Sequence, residues 1–362
     1  MAPPSLPSRS IVWQLLDRRA NGKPETENGK HETVQLSPFY ISGFLFSVFH
    51  SFSGMGLVLA VACLSACTTP PDRDPKRPIT VPSTPYEQHD IEVNTLRLRY
   101  IDVGPLDPAN ANGVLLLIHG HTSRIEEYDA LIPTLAKHHR VLVVDLPGSG
   151  YSEKPDRWYS LRGYEDTLIG FLNALKVERA HLAGGSMGGN LVLRLAHREG
   201  RRFDRIAPWA PGSAWEAQPF VSMLTRAVSS YAMFWPIVKI QSRYWYSDDW
   251  PGREQALATT FAYYEEVMGP GFVRMYFDMA ADQVGRTLFT IAPKIEQPTL
   301  LGWGDRDDGA NMGEGVKRLD ELIPHSELHV YPKARHSLAA EVPEALAAAI
   351  DEFLTRPAAK LP

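Results

Sequence analysis

Six residues at positions 184–189, Gly-Gly-Ser-Met-Gly-Gly, have types and spacing suited to nucleophilic chemistry. Ser186 stands between Gly184 and Gly188 in the pattern G-x-S-x-G, where a turn too tight for neighbouring Cβ atoms pushes the central side chain outward. A serine hydroxyl is a weak nucleophile alone, so catalysis needs a histidine base, an acid that orients the histidine, and donors for an oxyanion. A glycine-rich connector without catalytic function has the same local pattern.

The elements around this turn must hold the serine in place. Residues 180–183 form an apolar run that predicts a strand, and apolar residues at helical spacing follow the turn: Leu191, Val192 and Leu195. The runs at 114–118 and 141–144 are apolar without alternation, which is typical of parallel strands buried on both faces. A helix is predicted between them at about 126–137, and near alternation around residues 94–95 predicts a hairpin at the sheet edge.

His119, Gly120 and His121 directly follow the first apolar run. A His-x-His pair can bind a metal, but apart from two glutamates no third ligand of the expected kind follows it, so no metal is predicted. The alternative is a backbone role, in which Gly120 permits a turn and the amide of His121 faces the nucleophile as an oxyanion donor.

The second apolar run is followed by Asp145-Leu146-Pro147-Gly148-Ser149-Gly150. Asp145 precedes Ser186 in the chain, so we expect it to accept amide hydrogen bonds in the turn and not to act as the catalytic acid. The two glycines do not form a dinucleotide loop, because the third glycine and the helix start are missing. No cofactor is predicted.

Three segments together carry a family resemblance: His119-Gly120, residues 145–152 and residues 184–189. Their order and spacing resemble the α/β-hydrolase family, from about Tyr86 to the C terminus. The resemblance implies an α/β fold with a mostly parallel sheet, helices on both faces and a helical cap inserted after strand 6.

The resemblance also places the catalytic acid. The family commonly has it three residues after the glycine that ends the next strand, here Gly304 after residues 299–303. That position is Asp307 in this chain, and Asp305 and Asp308 are the alternative candidates for the catalytic acid.

The same resemblance implies that His336 is the catalytic base. It lies in the loop behind the last predicted strand, residues 327–331, and before a final helix that begins at Pro343. The competing histidine is His329, which lies within that strand and would point into the sheet or the solvent.

Between residues 211 and 292 the strand and helix alternation is lost and aromatic residues accumulate. The resemblance implies a helical cap over the active site here. We expect most of these aromatic side chains to pack the cap and the remainder to line an apolar substrate pocket.

The implied reaction is acyl transfer in the chain order Ser186, Asp307, His336, with the amides of His121 and Met187 holding the oxyanion. A serine at this position argues against relatives that displace halide or open epoxides with an aspartate. The expected function is an esterase-like or lipase-like carboxylic ester hydrolase for a small-molecule substrate with apolar acyl groups. A serine aminopeptidase or C–C bond hydrolase on the same scaffold is an alternative, and a non-catalytic binding protein is another.

Composition narrows the classes of partner. The chain has 362 residues, 44% of them hydrophobic, and a formal charge of -5, which gives no electrostatic footprint for nucleic acid. Its two cysteines, Cys63 and Cys67, both lie in an apolar N-terminal stretch, so the predicted core has no thiol for disulfides.

That N-terminal stretch predicts contact with a membrane. Residues 33–71 contain no Asp, Glu, Lys or Arg, and residues 39–66 are largely apolar. The tetrad that ends at Cys67, Leu-Ser-Ala-Cys, resembles the lipobox of bacterial lipoprotein signal peptides, which implies that Cys67 is lipidated and anchors an exported protein in the cell envelope. The alternative is an uncleaved single-pass membrane anchor.

Five segments follow from these observations. We predict an N-terminal extension with signal segment at 1–66, a Pro-rich tether at 67–85, the first part of the hydrolase core at 86–210, the cap at 211–292, and the second part of the core at 293–362.

Overall fold

One sheet of eight strands lies at the centre of the described part of the chain. The computed structural model describes residues 82–105, 113–308 and 312–357. The strands are β1 (Gln88–Val93), β2 (Leu96–Val103), β3 (Val114–Ile118), β4 (Arg140–Val144), β5 (Ala180–Gly185), β6 (Phe203–Trp209), β7 (Thr299–Gly304) and β8 (Ser326–Tyr331). Their order across the sheet is β1-β2-β4-β3-β5-β6-β7-β8. β2 pairs antiparallel with β1 and β4, and the other neighbours are parallel, which confirms the predicted α/β fold with a mostly parallel sheet.

The hairpin at the sheet edge has the turn that its sequence predicts. Asn94 and Thr95 join β1 to β2 with φ angles of 50° and 66°. Two consecutive positive φ values match the right-handed twist of paired strands, so a two-residue turn closes the hairpin.

Helices cover both faces of the sheet. They are α1 (Ile132–Leu135), α2 (Leu161–Ala174), α3 (Met187–Arg198), α4 (Pro219–Ala227), α5 (Tyr231–Gln241), α6 (Arg253–Val267), α7 (Pro270–Val284), α8 (Met312–Leu322), α9 (Leu338–Glu341) and α10 (Pro343–Thr355). Successive strand residues point to opposite faces, so Leu115 and Leu117 of β3 pack in one apolar cluster with residues of α1 and α10. Leu116 and Ile118 are equally buried but lie outside this cluster.

The prediction of one continuous helix at about 126–137 is wrong. The chain instead forms a 3-10 turn, Ile125–Tyr128, and the single-turn helix α1. Pro133 lies in the first turn of α1, where its missing amide costs nothing, whereas it would break a helix continuing from residue 126.

Helices α4 to α7 form the cap between β6 and β7, as predicted. Phe234 of α5 lies at its centre, with ring centroids 5.7 Å from Tyr264, 5.7 Å from Phe272 and 4.9 Å from Tyr276. Edge-to-face contacts of this kind hold the cap helices together beyond the area they bury.

Two carboxylates of α7 attach the cap to the hydrolase core. Asp278 accepts a hydrogen bond from the amide of Tyr159 at 3.1 Å, and Asp282 accepts one from the amide of Leu161, the first residue of α2, at 2.9 Å. Both carboxylates are buried, and such charge-assisted bonds fix the position of α7 on the core.

In the described ranges we find no helix long and apolar enough to cross a bilayer. The apolar segment at 39–66, Cys67 and most of the Pro-rich tether lie outside those ranges. The lipoprotein and membrane-anchor interpretations therefore stay predictions.

Candidate active site

Four loops that carry the candidate residues meet at one edge of the sheet. They follow the carboxyl ends of β3, β5, β7 and β8. These four strands, together with β6 between β5 and β7, are parallel neighbours in the sheet. The carboxyl ends of parallel strands lie at the same edge, where binding sites of open α/β sheets form.

Ser186 occupies a strained turn between β5 and α3. Its φ is 55° and its ψ is -120°, a conformation that costs a non-glycine residue energy and persists only when neighbours enforce it. Its amide donates to the Trp209 carbonyl at 3.0 Å, and its carbonyl accepts from the amides of Asn190 at 3.0 Å and Gly212 at 2.9 Å. These three backbone bonds fix the turn.

The two glycines of the motif permit close packing of backbone. A Cβ at Gly188 would lie 1.8 Å from the Ile118 carbonyl oxygen, and one at Gly184 would lie 2.5 Å from the same atom. The end of β3 therefore reaches the elbow only because neither position has a side chain.

Tyr128 supports the elbow from behind, a role that the sequence analysis missed. Its buried hydroxyl donates to the Ile118 carbonyl at 2.8 Å and accepts from the Gly185 amide at 3.2 Å. The hydroxyl thereby ties the end of β3 to the residue before Ser186. Nothing in the sequence distinguishes this tyrosine from an ordinary core aromatic.

The acid and the histidine are in direct contact. Asp307 Oδ2 lies 2.8 Å from His336 Nδ1, and Asp307 is buried. A carboxylate accepts hydrogen bonds, so Nδ1 carries the hydrogen in this contact and Nε2 is the ring nitrogen left to take a proton.

The two rival carboxylates are engaged elsewhere. Asp305 Oδ1 accepts the Lys333 amide at 2.6 Å, which ties the β7 loop to the β8 loop. The Asp308 side chain is 70% exposed, with its Oδ1 atom 3.7 Å from Arg335. Of the three, Asp307 is the one whose carboxylate contacts His336.

The rival histidine lies away from this contact. His329 is inside β8, paired in register with Gly302, and its ring packs against Tyr331 at a centroid distance of 4.5 Å. Burial lowers the pKa of His329, in contrast to that of His336.

The pKa of His336 is raised above its ordinary value. Burial alone would lower this pKa, but the charge of Asp307 and its hydrogen bond outweigh burial, with smaller contributions from Glu127 and Glu341. The imidazolium that forms when a base accepts a proton is therefore stabilised at this position.

Gly120 brings the oxyanion loop against the nucleophile. A Cβ built on Gly120 would lie 3.6 Å from Ser186 Cβ. The amide of the next residue, His121, and that of Met187, the first residue of α3, have no hydrogen-bond acceptor among the described residues. Met187 directly follows Ser186 in the chain and His121 directly follows Gly120, so both amides are available as donors.

The two histidines of the loop point to different neighbours. His119 Nε2 accepts the Leu146 amide at 3.0 Å, while the His121 ring stacks on Tyr276 of α7 at 5.0 Å. Within the described ranges, no group of three or more His, Cys, Asp and Glu side chains is arranged to hold a metal ion.

Asp145 has a structural role in the next loop. It is fully buried, accepts the amides of Ile125 at 2.8 Å and Tyr151 at 2.7 Å, and pairs with Arg99 at 2.6 Å. The carboxylate is saturated by these donors, as the sequence analysis expected.

The cap touches both loops of the site. The hydroxyls of Thr122 and Tyr264 lie 2.7 Å apart beside the oxyanion loop, and the Trp245 carbonyl accepts the amide of Ser337 beside His336 at 2.9 Å. The cap aromatics thus border the groups that would meet a substrate.

Comparison with known proteins agrees with the fold. A family model described as "Serine aminopeptidase, S33" matches residues 109–343. The chain is 26% identical over 269 residues to 2-hydroxy-6-oxo-2,4-heptadienoate hydrolase of Pseudomonas putida, which covers 69% of this chain and 91% of that protein. It is also 26% identical over 259 residues to 2-hydroxymuconate semialdehyde hydrolase of Pseudomonas sp. strain CF600, covering 69% and 89%.

A solved structure shares the architecture. The enol-lactonase from Burkholderia xenovorans LB400 aligns with a TM-score of 0.64 at 23% identity, over 74% of this chain and all of that one. At this identity the likeness concerns the fold. Given the family match over most of the chain, this protein belongs to the α/β-hydrolase family and is a hydrolase.

Proposed function

We propose that the protein is a serine hydrolase that cleaves carboxylic esters through an acyl-enzyme. The observation that carries the proposal is the 2.8 Å contact between Asp307 and His336, in loops at the same sheet edge as the strained Ser186. A nucleophile, a base and an acid at one sheet edge suit acyl transfer.

In the proposed reaction Ser186 Oγ attacks the acyl carbon of the substrate while His336 Nε2 takes the serine proton. Asp307 holds Nδ1–H and stabilises the imidazolium. The imidazolium then protonates the leaving group, which departs and leaves an acyl-serine. Water, deprotonated by the same histidine, attacks the acyl-serine and releases the acid.

The amides of His121 and Met187 are the proposed oxyanion donors. Each contributes about 3 to 4 kcal/mol of transition-state stabilisation if it behaves as in other acyl-transfer enzymes. The first turn of α3 adds the positive end of its helix dipole beside Ser186.

The aromatic cap supports a preference for apolar acyl groups. Tyr276 stacks on His121, and the hydroxyl of Tyr264 meets that of Thr122, so aromatic side chains border the oxyanion loop. Such surroundings favour an apolar substrate segment over a charged one.

Two other reactions suit the same groups. The matching family model is described as serine aminopeptidase, which makes a substrate with a free amino terminus a candidate. The two Pseudomonas relatives are named for substrates without an ester, so a C–C bond hydrolase is the other candidate.

Ester hydrolysis is tested with short 4-nitrophenyl esters on residues 68–362. The parent should turn over and Ser186→Ala should lose about six orders of magnitude in kcat. Ser229→Ala, an exposed cap serine, is the matched control and should keep the parent rate. A fluorophosphonate should label the parent and the control but not Ser186→Ala.

Two results would contradict the proposal. Equal rates for the parent and Ser186→Ala would favour a non-catalytic binding protein that uses the cap pocket as a receptor. Turnover of an aminoacyl 4-nitroanilide or of 2-hydroxymuconate semialdehyde, without ester turnover, would favour one of the two alternative reactions.

We further propose that Cys67 anchors the protein to a membrane through lipid. A diacylated cysteine holds a protein far more firmly than one acyl chain does. Cys67→Ser should release the protein into the soluble fraction or leave its N-terminal segment uncleaved. Unchanged fractionation and unchanged electrophoretic mobility would favour the single-pass anchor instead.

A further inference from the structure

A second carboxylate lies beside Gly120, the glycine that packs against the candidate nucleophile. Glu127 belongs to the 3-10 turn Ile125–Tyr128, and its Oε2 accepts the Gly120 amide at 3.1 Å. A Cβ built on Gly120 would lie 3.7 Å from Glu127 Oε1 and 3.6 Å from Ser186 Cβ. The carboxylate and the serine therefore border the same residue.

A third carboxylate lies in α9, the helix that follows His336 in the chain and packs against the turn that carries Glu127. Glu341 of α9 accepts the Arg335 amide through Oε1 and the Ser247 amide through Oε2, both at 3.0 Å. Burial and Asp307 have the largest effects on the pKa of His336, and the charges of Glu127 and Glu341 raise it further. The electric fields of both glutamates therefore reach the imidazole.

Among the described residues, no ion pair joins Glu127 or Glu341 to a Lys, Arg or His. The guanidinium of Arg335 donates to the carbonyls of Arg243 and Arg306, and its ion pairs are with two exposed carboxylates, those of Asp248 and Asp308.

The imidazole of His121 brings no charge at neutral pH. The pKa of His121 is lowered to about 4, mainly by burial; a hydrogen bond to the Tyr276 backbone opposes the shift only partly, and the neighbouring His119 adds a smaller lowering. The imidazole of His121 therefore adds no positive charge beside the proposed oxyanion site.

We infer that Glu127 and Glu341 make this site select neutral or positively charged substrates and reject substrates that carry a carboxylate near the scissile bond. Charges of the same sign in a partly buried site repel strongly, because little water screens them. This inference rests on the proposed serine hydrolase function. It separates the protein from the two relatives, whose named substrates, a heptadienoate and a muconate semialdehyde, are carboxylates.

Matched ester pairs test the inference on the full chain. The mono-4-nitrophenyl ester of glutaric acid carries a carboxylate where 4-nitrophenyl 5-methylhexanoate carries an isosteric isopropyl group. We expect kcat/KM for the anionic ester to be lower by about tenfold or more, and the difference to shrink at high ionic strength as salt screens the repulsion. Butyrylthiocholine should react at least as well as its neutral isostere, 3,3-dimethylbutyl thiobutyrate.

Charge-neutral variants identify the responsible carboxylates. Glu127→Gln keeps an oxygen that can accept the Gly120 amide but removes the charge, so kcat/KM for the anionic ester should rise relative to the neutral one by about threefold or more. Glu341→Gln should act in the same direction. Glu321→Gln, on the exposed side of α8, is the control and should leave both the rate and the selectivity unchanged.

Equal kcat/KM for the anionic and neutral esters in an active enzyme would overturn the charge selection and leave the proposed function intact. Preference for the anionic ester would also overturn it, and would point to Arg124, whose buried Nη1 has no hydrogen-bond partner among the described residues. Hydrolysis of neither ester, with no fluorophosphonate labelling, would overturn the proposed function and the charge selection together.

Discussion

At the scale of single residues, the candidate catalytic acid differs from its neighbouring carboxylates in its contact with the histidine and not in its charge. Asp305, Asp307 and Asp308 are three carboxylates within four positions, and sequence spacing alone leaves their roles open. In the folded chain Asp305 holds the Lys333 amide, while Asp307 contacts His336. Adjacent side chains in a turn point in different directions, so one carboxylate alone reaches the imidazole.

Asp307→Asn should lower kcat for a neutral ester by about 10⁴-fold, because an amide in place of the carboxylate no longer fixes the imidazole tautomer. Asp308→Asn is the matched control and should lose little, since its side chain is 70% exposed. Steady-state kinetics of the two purified variants check this. A larger loss for Asp308→Asn would refute the assignment of the acid.

The pH dependence of kcat/KM should report the raised pKa of His336. A general base works only when neutral, so activity should fall as the pH drops through this pKa, above the ordinary histidine value of about 6.5. Glu127→Gln removes one of the charges that raise the pKa, so its acidic limb should lie at lower pH. A parent limb below pH 6.5, or the same limb in both proteins, would contradict this.

At the scale of elements, the elbow depends on how closely β3, β5 and α3 approach one another. Gly184 and Gly188 let the end of β3 reach the start of α3, and the Tyr128 hydroxyl bridges β3 and β5. The G-x-S-x-G pattern is therefore a packing requirement as much as a catalytic one.

Gly188→Ala should destabilise the protein and abolish labelling by a fluorophosphonate. The added Cβ would lie 1.8 Å from the Ile118 carbonyl oxygen, so backbone must shift, at a cost of about 3 kcal/mol or more. Gly104→Ala is the control, because its Cβ would meet no atom within 4 Å. Denaturant unfolding and labelling rates measure both effects, and equal stability of the two variants would contradict the packing argument.

At the scale of the whole molecule, the fully buried His139 is expected to lower stability in acid. His139 has no exposed surface, lies 5.7 Å from His181 in a T-shaped contact, and makes no hydrogen bond through its ring nitrogens to described residues. Burial, followed by the nearby His181, lowers the pKa of His139 to about 4, while Asp351 opposes the shift.

The free energy of unfolding should therefore fall as pH drops from about 6.5 to about 4. In that window the unfolded chain binds a proton at His139 and the folded chain does not, at a cost on the order of 3 kcal/mol by pH 4. Above pH 6.5 both states are neutral at this residue and the effect vanishes. His139→Leu should lose less stability over this window, and urea titrations that fall in parallel for both proteins would contradict the argument.

Much of the fold was predictable because it depends on local pattern. Apolar runs without alternation identified buried strands such as β3 and β4, and Asn94-Thr95 identified the hairpin turn. The prediction of a helix at 126–137 was wrong because of Pro133, which has no amide hydrogen to donate. The spacing of apolar residues does not reveal that missing donor.

The sequence by itself determined the fold class, the Ser186 elbow and the segments from which an acid and a base must come, because strand burial and glycine spacing are local properties of the chain. Only the tertiary structure decided that Asp307 contacts His336, that Tyr128 bridges β3 and β5 at the elbow, and that Glu127 and Ser186 border the same residue, Gly120. Those contacts join residues far apart in the chain or depend on where each side chain points, and the packing of β3, β5, β7 and β8 sets both.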